Sequence, residues 1–167
     1  MKRQDRWANK YTTYCAEQFY NDMVDTKYGT NSVVYITKRF GNNKRYAVIF
    51  TDKADKYFYY DYALFYKFKY IPKIYALQKD AINNIYYICR DVAYPVIDKK
   101  KLKRIEKIKF NLANPSMRKF GIDPICDELL KFHQCYSEYE FDFSTDWIMQ
   151  DKRGKLVICD PFRRIEK

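Results

Sequence analysis

Leucine is scarce in this chain, while tyrosine and phenylalanine number 18 and 12. The interior must therefore be assembled largely from flat rings, many of which carry a hydroxyl at one edge. With 167 residues the chain is long enough for one domain with its own core and too short for two comfortable ones. A single domain over 1–167 is expected, with an N-terminal helical extension (1–27), a β-rich part (28–94) and a helical and hairpin part (95–167). The fold class read from this order is a small α+β fold.

Charge is the second constraint. Thirty-two Lys and Arg against 21 Asp and Glu leave a net charge of +11, which draws nucleic acid, acidic proteins and anionic lipid alike. Basic and aromatic residues interleave in Lys56-Tyr57-Phe58-Tyr59-Tyr60 and Tyr66-Lys67-Phe68-Lys69-Tyr70, a pattern suited to phosphate neutralisation with base stacking. A chain rich in Lys and Tyr also produces such neighbours by composition alone. Cys15, Cys89, Cys126, Cys135 and Cys159 form no CxxC and leave one over, so reduced thiols in a cytoplasmic setting are expected. No apolar stretch is long enough to span a bilayer, and the start leads into no secretory h-region, so no membrane association is expected.

Tyr11, Cys15, Phe19 and Met23 recur every four residues and predict a helix over 11–24. A break is expected at Lys27-Tyr28-Gly29-Thr30-Asn31. Strands are predicted over 32–38 and 45–51, joined by a turn with Gly41, Asn42 and Asn43. A helix over 54–68 and a second hairpin, 74–78 with 85–90, complete the first half. Asp98 is placed to cap a helix whose Leu102, Ile105 and Ile108 share a face, ringed by Lys99, Lys100, Lys101, Lys103, Arg104, Lys107 and Lys109. Asp123-Pro124 reads as the cap and first position of a further helix, with Ile125, Leu129, Phe132 and Tyr136 as its buried stripe. A last hairpin, 147–150 with 155–159, turns at Asp151-Lys152-Arg153-Gly154.

The segment with the most chemistry is Phe141-Asp142-Phe143-Ser144-Thr145-Asp146-Trp147-Ile148-Met149, followed by the hairpin and Leu156-Val157-Ile158-Cys159-Asp160-Pro161. A helix, an acidic loop, a short hairpin and a second acid at the strand end follow in order. That order resembles the core of protein-kinase-like enzymes, and most closely the early serine/threonine kinases of T-odd coliphages, whose frame Phe141-Asp142, Ile148-Met149 and Asp160-Pro161 keep. The resemblance implies a trimmed protein-kinase-like fold, with Asp142 as candidate base and Asp160, helped by Asp146, as magnesium ligand. It also implies that Gly29 and Lys53 face the phosphates of ATP.

Four departures accompany the resemblance. Gly29 is the lone glycine of the phosphate loop; Phe50 stands where a phosphate-binding lysine belongs; no Glu occurs from Gln18 to Ile105 to pair with such a lysine; and Trp147 takes the place of a metal-binding asparagine. An indole has no oxygen to offer magnesium. Few residues follow Asp160, so no activation segment is expected. His133 and Cys135 are spaced as H-x-C on a helix, which sends them to different faces and does not suit shared zinc ligation.

The expected function is therefore a phage-type accessory protein with a pseudokinase-like fold. It would bind and inhibit or redirect a host component, either transcription machinery or a nucleic-acid-based defence complex, in the host cytoplasm. No cofactor is expected in that role. The first alternative is an unorthodox serine/threonine kinase that uses magnesium and ATP. The second is a basic nucleic-acid-binding module. Lys99, Lys100, Lys103, Arg104 and Lys107 are the candidate partner-binding residues.

Overall fold

A computed structural model describes residues 23–29, 32–39, 42–80, 82, 84–143 and 146–165. The predicted helix over 11–24 lies outside the described residues except for Met23 and Val24, and these open a strand. In order, the described elements are β1 (Met23–Gly29), β2 (Ser32–Arg39), β3 (Asn42–Thr51), α1 (Ala54–Phe65), β4 (Ile74–Asp80) and β5 (Ile85–Asp91). Then follow α2 (Lys99–Ala113), a 3-10 turn (Pro115–Met117), α3 (Pro124–Cys135), β6 (Tyr139–Phe141), β7 (Ile148–Gln150), β8 (Leu156–Ile158) and β9 (Phe162–Arg164). The fold is mixed α+β, with a five-stranded antiparallel sheet and three α-helices among the described residues. Its contacts divide into two compact units, one formed by the chain up to Tyr57 with Pro72–Val92, the other by Phe58–Ile71 and Ala93 onward.

In the first unit the strand order is β1-β2-β3-β5-β4, every neighbour antiparallel. The two predicted hairpins account for β2–β3 and β4–β5. The β3–β5 pairing joins them into one sheet and makes β3 a central strand. Along β3, side chains alternate between the two faces, and Tyr46, Ala47, Val48 and Ile49 are all buried, so the strand is covered on both sides. Where a break was predicted at 27–31, β1 pairs with β2 from Met23↔Thr37 to Gly29↔Ser32. Pairing with an existing strand overrides the weak local signal of a polar segment.

The first turn of α1 covers one particular face of this sheet. Lys56 Nζ donates to Ser32 Oγ at 3.1 Å, and the Tyr57 ring lies 5.1 Å from that of Tyr86. Ser32 and Tyr86 are the two cross-strand partners of Thr51, so Ala47, Ile49 and Thr51 share the face toward α1. The helix ends at Phe65 rather than at 68. Lys67 turns left-handed (φ 53°), while Phe68 N bonds Ala63 O and Lys67 N bonds Leu64 O, the paired bonds of a Schellman stop.

The second unit has the ring-built interior that the composition demands. Phe132 of α3 lies within 4.5 to 5.8 Å, centroid to centroid, of Phe162, Tyr136, Tyr62, Tyr59 and Tyr139. Helix α3 starts where predicted: Asp123 accepts from Ile125 N, Pro124 occupies the first turn, and Ile125, Leu129 and Phe132 are buried. Tyr136 is its half-exposed C-cap rather than part of the buried stripe. Burial pushes the thiol of Cys126 up to about 11, which keeps this α3 cysteine neutral and inert. Asp98 caps α2 through Lys101 N, and Ile105, Ile108, Asn111 and Leu112 are its buried residues. Leu102, predicted on that face, is instead 40% exposed. Glu128 of α3 accepts from Lys69 N (2.6 Å) and Tyr70 N (3.2 Å), and Ile158 N donates to Tyr70 O, which ties the segment after α1 to α3 and β8. No helix among the described residues is long and apolar enough to cross a membrane.

Candidate functional site

Two short ladders in the second unit position the acidic residues. β6 pairs with β9, closing on Phe141↔Phe162, and Asp142 N donates to Pro161 O at 2.9 Å. Asp142 and Asp160 are thereby brought to the same end of this ladder. β7 pairs with β8 in the register Ile148↔Ile158, and Cys159 N extends the ladder by donating to Trp147 O at 2.7 Å. Continued by one residue, that register sets Asp146 opposite Asp160.

Asp160 has φ 67°, the left-handed region that costs a residue with a Cβ of order 1 kcal/mol or more. Nearby, burial is the main reason that the Tyr59 hydroxyl is raised well above its ordinary pKa, with the charges of Glu128 and Asp160 adding to it. Tyr59 stays a neutral phenol beside these acids.

Asp146 is directed elsewhere. Its carboxylate pairs with Lys109 Nζ at 3.1 Å while its own side chain is 96% exposed. Lys109 also lies 5.9 Å over the ring of Trp147, which is 1% exposed. Where the resemblance implies a metal-binding asparagine there is a buried indole, and the neighbouring acid is paired with a lysine. Among the described residues no three His, Cys, Asp or Glu side chains form a metal-binding group. The carboxylates that remain at this end of the β6–β9 ladder are Asp142 and Asp160, the one or two that a magnesium ion held mainly by phosphates and water would need.

The candidate phosphate residues belong to the first unit. Gly29 ends β1 opposite Ser32, and Lys53 follows β3, its amide donating to Thr51 Oγ1 at 3.1 Å. The placement of Phe50 calls for a correction. It pairs with Val33 and Tyr87 and meets the rings of Tyr35 and Tyr87 edge-on at 5.4 and 5.0 Å, on the face away from α1. A lysine meant to pair with a helical carboxylate must point toward the helix, and the buried β3 residues on the face toward the first turn of α1 are Ala47, Ile49 and Thr51, with the exposed Arg45 further along the same face. None of the three buried residues is basic.

The basic residues of α2 separate into two groups. Arg104 grips Asp123 through Nε and Nη2 at 2.6 and 3.0 Å, so it braces the cap of α3 even though it was grouped with the partner-binding lysines. Lys101 Nζ donates to Gly154 O at 2.6 Å, and Lys109 holds Asp146. Lys99, Lys100, Lys103 and Lys107 are exposed. The inward roles of Lys101 and Lys109 were missed because their partners lie 53 and 37 residues away, and nothing local marks such a lysine. His133 is a structural residue: Nδ1 donates to Tyr139 O and Nε2 accepts from Arg118, both at 2.9 Å.

No family model matches the chain, and no curated protein matches it either.

Proposed function

We propose that this chain is a pseudokinase-like scaffold, a phage-type accessory protein that binds and inhibits or redirects a host component, either transcription machinery or a nucleic-acid-based defence complex. The observation that carries this reading is Trp147, buried to 1% exposure five residues beyond Asp142, where phosphotransfer needs an oxygen ligand for its metal. The frame is supported by the element order. Three strands, a helix and two strands are followed by two helices, an acid after β6, the β7–β8 hairpin and an acid before β9. Phosphoryl transfer depends almost wholly on positioned charge, and Ala47, Ile49 and Thr51, the buried β3 residues on the face toward the first turn of α1, carry none. A scaffold of this kind works through its surface, and a net charge of +11 speeds encounter with an acidic partner.

The test is thermal shift and isothermal titration with ATP, with and without magnesium, on the wild type and Asp160→Asn. A ligand that binds only the folded state raises its stability; the expected result is no magnesium-dependent shift in either protein. A shift present in the wild type and lost in Asp160→Asn would overturn the scaffold reading.

That outcome would favour the second reading, an unorthodox serine/threonine kinase using magnesium and ATP, with Asp142 as base. One observation speaks for it: Asp142 and the left-handed Asp160 lie at the same end of the β6–β9 ladder, where Asp142 N bonds Pro161 O. Strained backbone of this kind concentrates at functional sites.

A further inference from the structure

Helix α2 carries seven basic residues in the run KKKLKRIEKIKFNLA, and the structure sorts them. Lys101, Arg104 and Lys109 are engaged by Gly154, Asp123 and Asp146. Lys99, Lys100, Lys103 and Lys107 are exposed and make no hydrogen bond or ion pair among the described residues. At 3.6 residues per turn these four lysines fall within an arc of about 100°. Phe110 falls within the same arc, one turn beyond Lys107, and is 63% exposed. Glu106 alone among acids borders the stripe. Single exposed rings are ordinary on a protein surface; what sets Phe110 apart is that it shares an arc with four exposed lysines, the combination of stacking platform and phosphate charge that single strands use.

We propose that this stripe docks single-stranded nucleic acid, its phosphates neutralised by Lys99, Lys100, Lys103 and Lys107 and a base stacked on Phe110. Three features favour this over an acidic protein surface or a duplex. The charges are lysines, point charges suited to phosphate, whereas the one arginine of the helix, the better partner for a carboxylate, is already paired with Asp123. No exposed Asn, Gln or Arg lies in the stripe to read base edges, so binding is tolerant of sequence. An exposed ring offers stacking energy only to a base whose face is free. The assignment deepens the scaffold reading by naming a partner class. It stands on residues remote in sequence from Trp147, so nucleotide binding and oligonucleotide binding fail separately.

The test is fluorescence anisotropy of the full chain with labelled oligothymidylate, oligouridylate and a duplex over a range of salt. Binding to the single strands should weaken with salt at a log–log slope of about −3, from roughly 0.7 per phosphate over four lysines. Replacing the four lysines by Gln should remove most of this binding and flatten the slope. Phe110→Ala should weaken it about tenfold with the slope kept. The control Lys152→Glu/Arg153→Glu, on the exposed β7–β8 turn, removes the same net charge and should bind as the wild type. Circular dichroism verifies that each variant is folded. The proposal is overturned if the control weakens binding as much as the four Gln substitutions, or if Phe110→Ala binds normally and the duplex binds as tightly as the single strands. It is overturned equally if the chain ignores oligonucleotides and binds a polyglutamate peptide through the same lysines.

Discussion

Helices α2 and α3 begin alike and end as different objects. Each is capped by an aspartate accepting a backbone N–H, and each buries an apolar stripe. In α3 the stripe carries Phe132 into the middle of a ring cluster, and the half-buried His133 is held by Arg118 and Tyr139. In α2 the buried arc is bordered by basic residues that reach for Gly154, Asp123 and Asp146, and the outer arc keeps four lysines and Phe110 in water. A cap determines where a helix starts; the width of its apolar stripe determines how much of it the core takes up. A helix that is apolar on one side and strongly basic on the other has a surface left over for binding.

The largest test of this contrast is Phe132→Ala, which empties the centre of the ring cluster and should cost about 3–5 kcal/mol in urea denaturation; a cost under 1 kcal/mol would mean that α3 is no more central than α2. Asp123→Ala removes the α3 cap and the bidentate partner of Arg104 together, and should cost about 1–2 kcal/mol. Asp98→Ala removes a cap with no such partner and should cost about 0.5–1 kcal/mol by the same measurement. Equal losses from the two aspartates would show that the Arg104 pair adds nothing.

Acid should act through α3 in particular. Burial, then the charge of Arg118, lowers the His133 pKa below its ordinary value. The unfolded chain then binds the proton more readily than the folded one, so stability should be complete above about pH 6.5 and decline as pH falls below it. In His133→Gln the pH profile of the melting temperature should lose that component. The smallest expected effect is that of Lys103→Ala with Lys107→Ala, whose side chains only meet solvent: a stability change within about 0.5 kcal/mol. A larger loss would mean that the outer arc of α2 is structural after all.

Legibility followed the range of the interactions. Helix α3 could be read from Asp123, Pro124 and a four-residue apolar period, all within one short segment. β1 could not, because Met23 continued a helical period from Tyr11 and Gly29 read as a break; only the facing Ser32–Arg39 strand makes 23–29 extended. β6 and β9 are three residues each, too short for any period to register. Of the candidate site, Asp142, Asp160 and Trp147 were visible as residue types in order. That Asp146 is paired to Lys109, and that Phe50 faces away from α1, depended on partners far along the chain and on strand register.

What this sequence determines by itself is local: the caps at Asp98 and Asp123, the hairpin turn at Gly154, the ring-rich interior and the basic balance, because each arises from neighbouring residues or from composition alone. Tertiary structure decided the rest. It joined two hairpins through β3–β5 pairing, set Asp142 beside Pro161, buried Trp147 and divided the lysines of α2 into held and exposed. Those outcomes depend on contacts between distant segments, whose loop-closure cost is offset only once the whole unit is assembled.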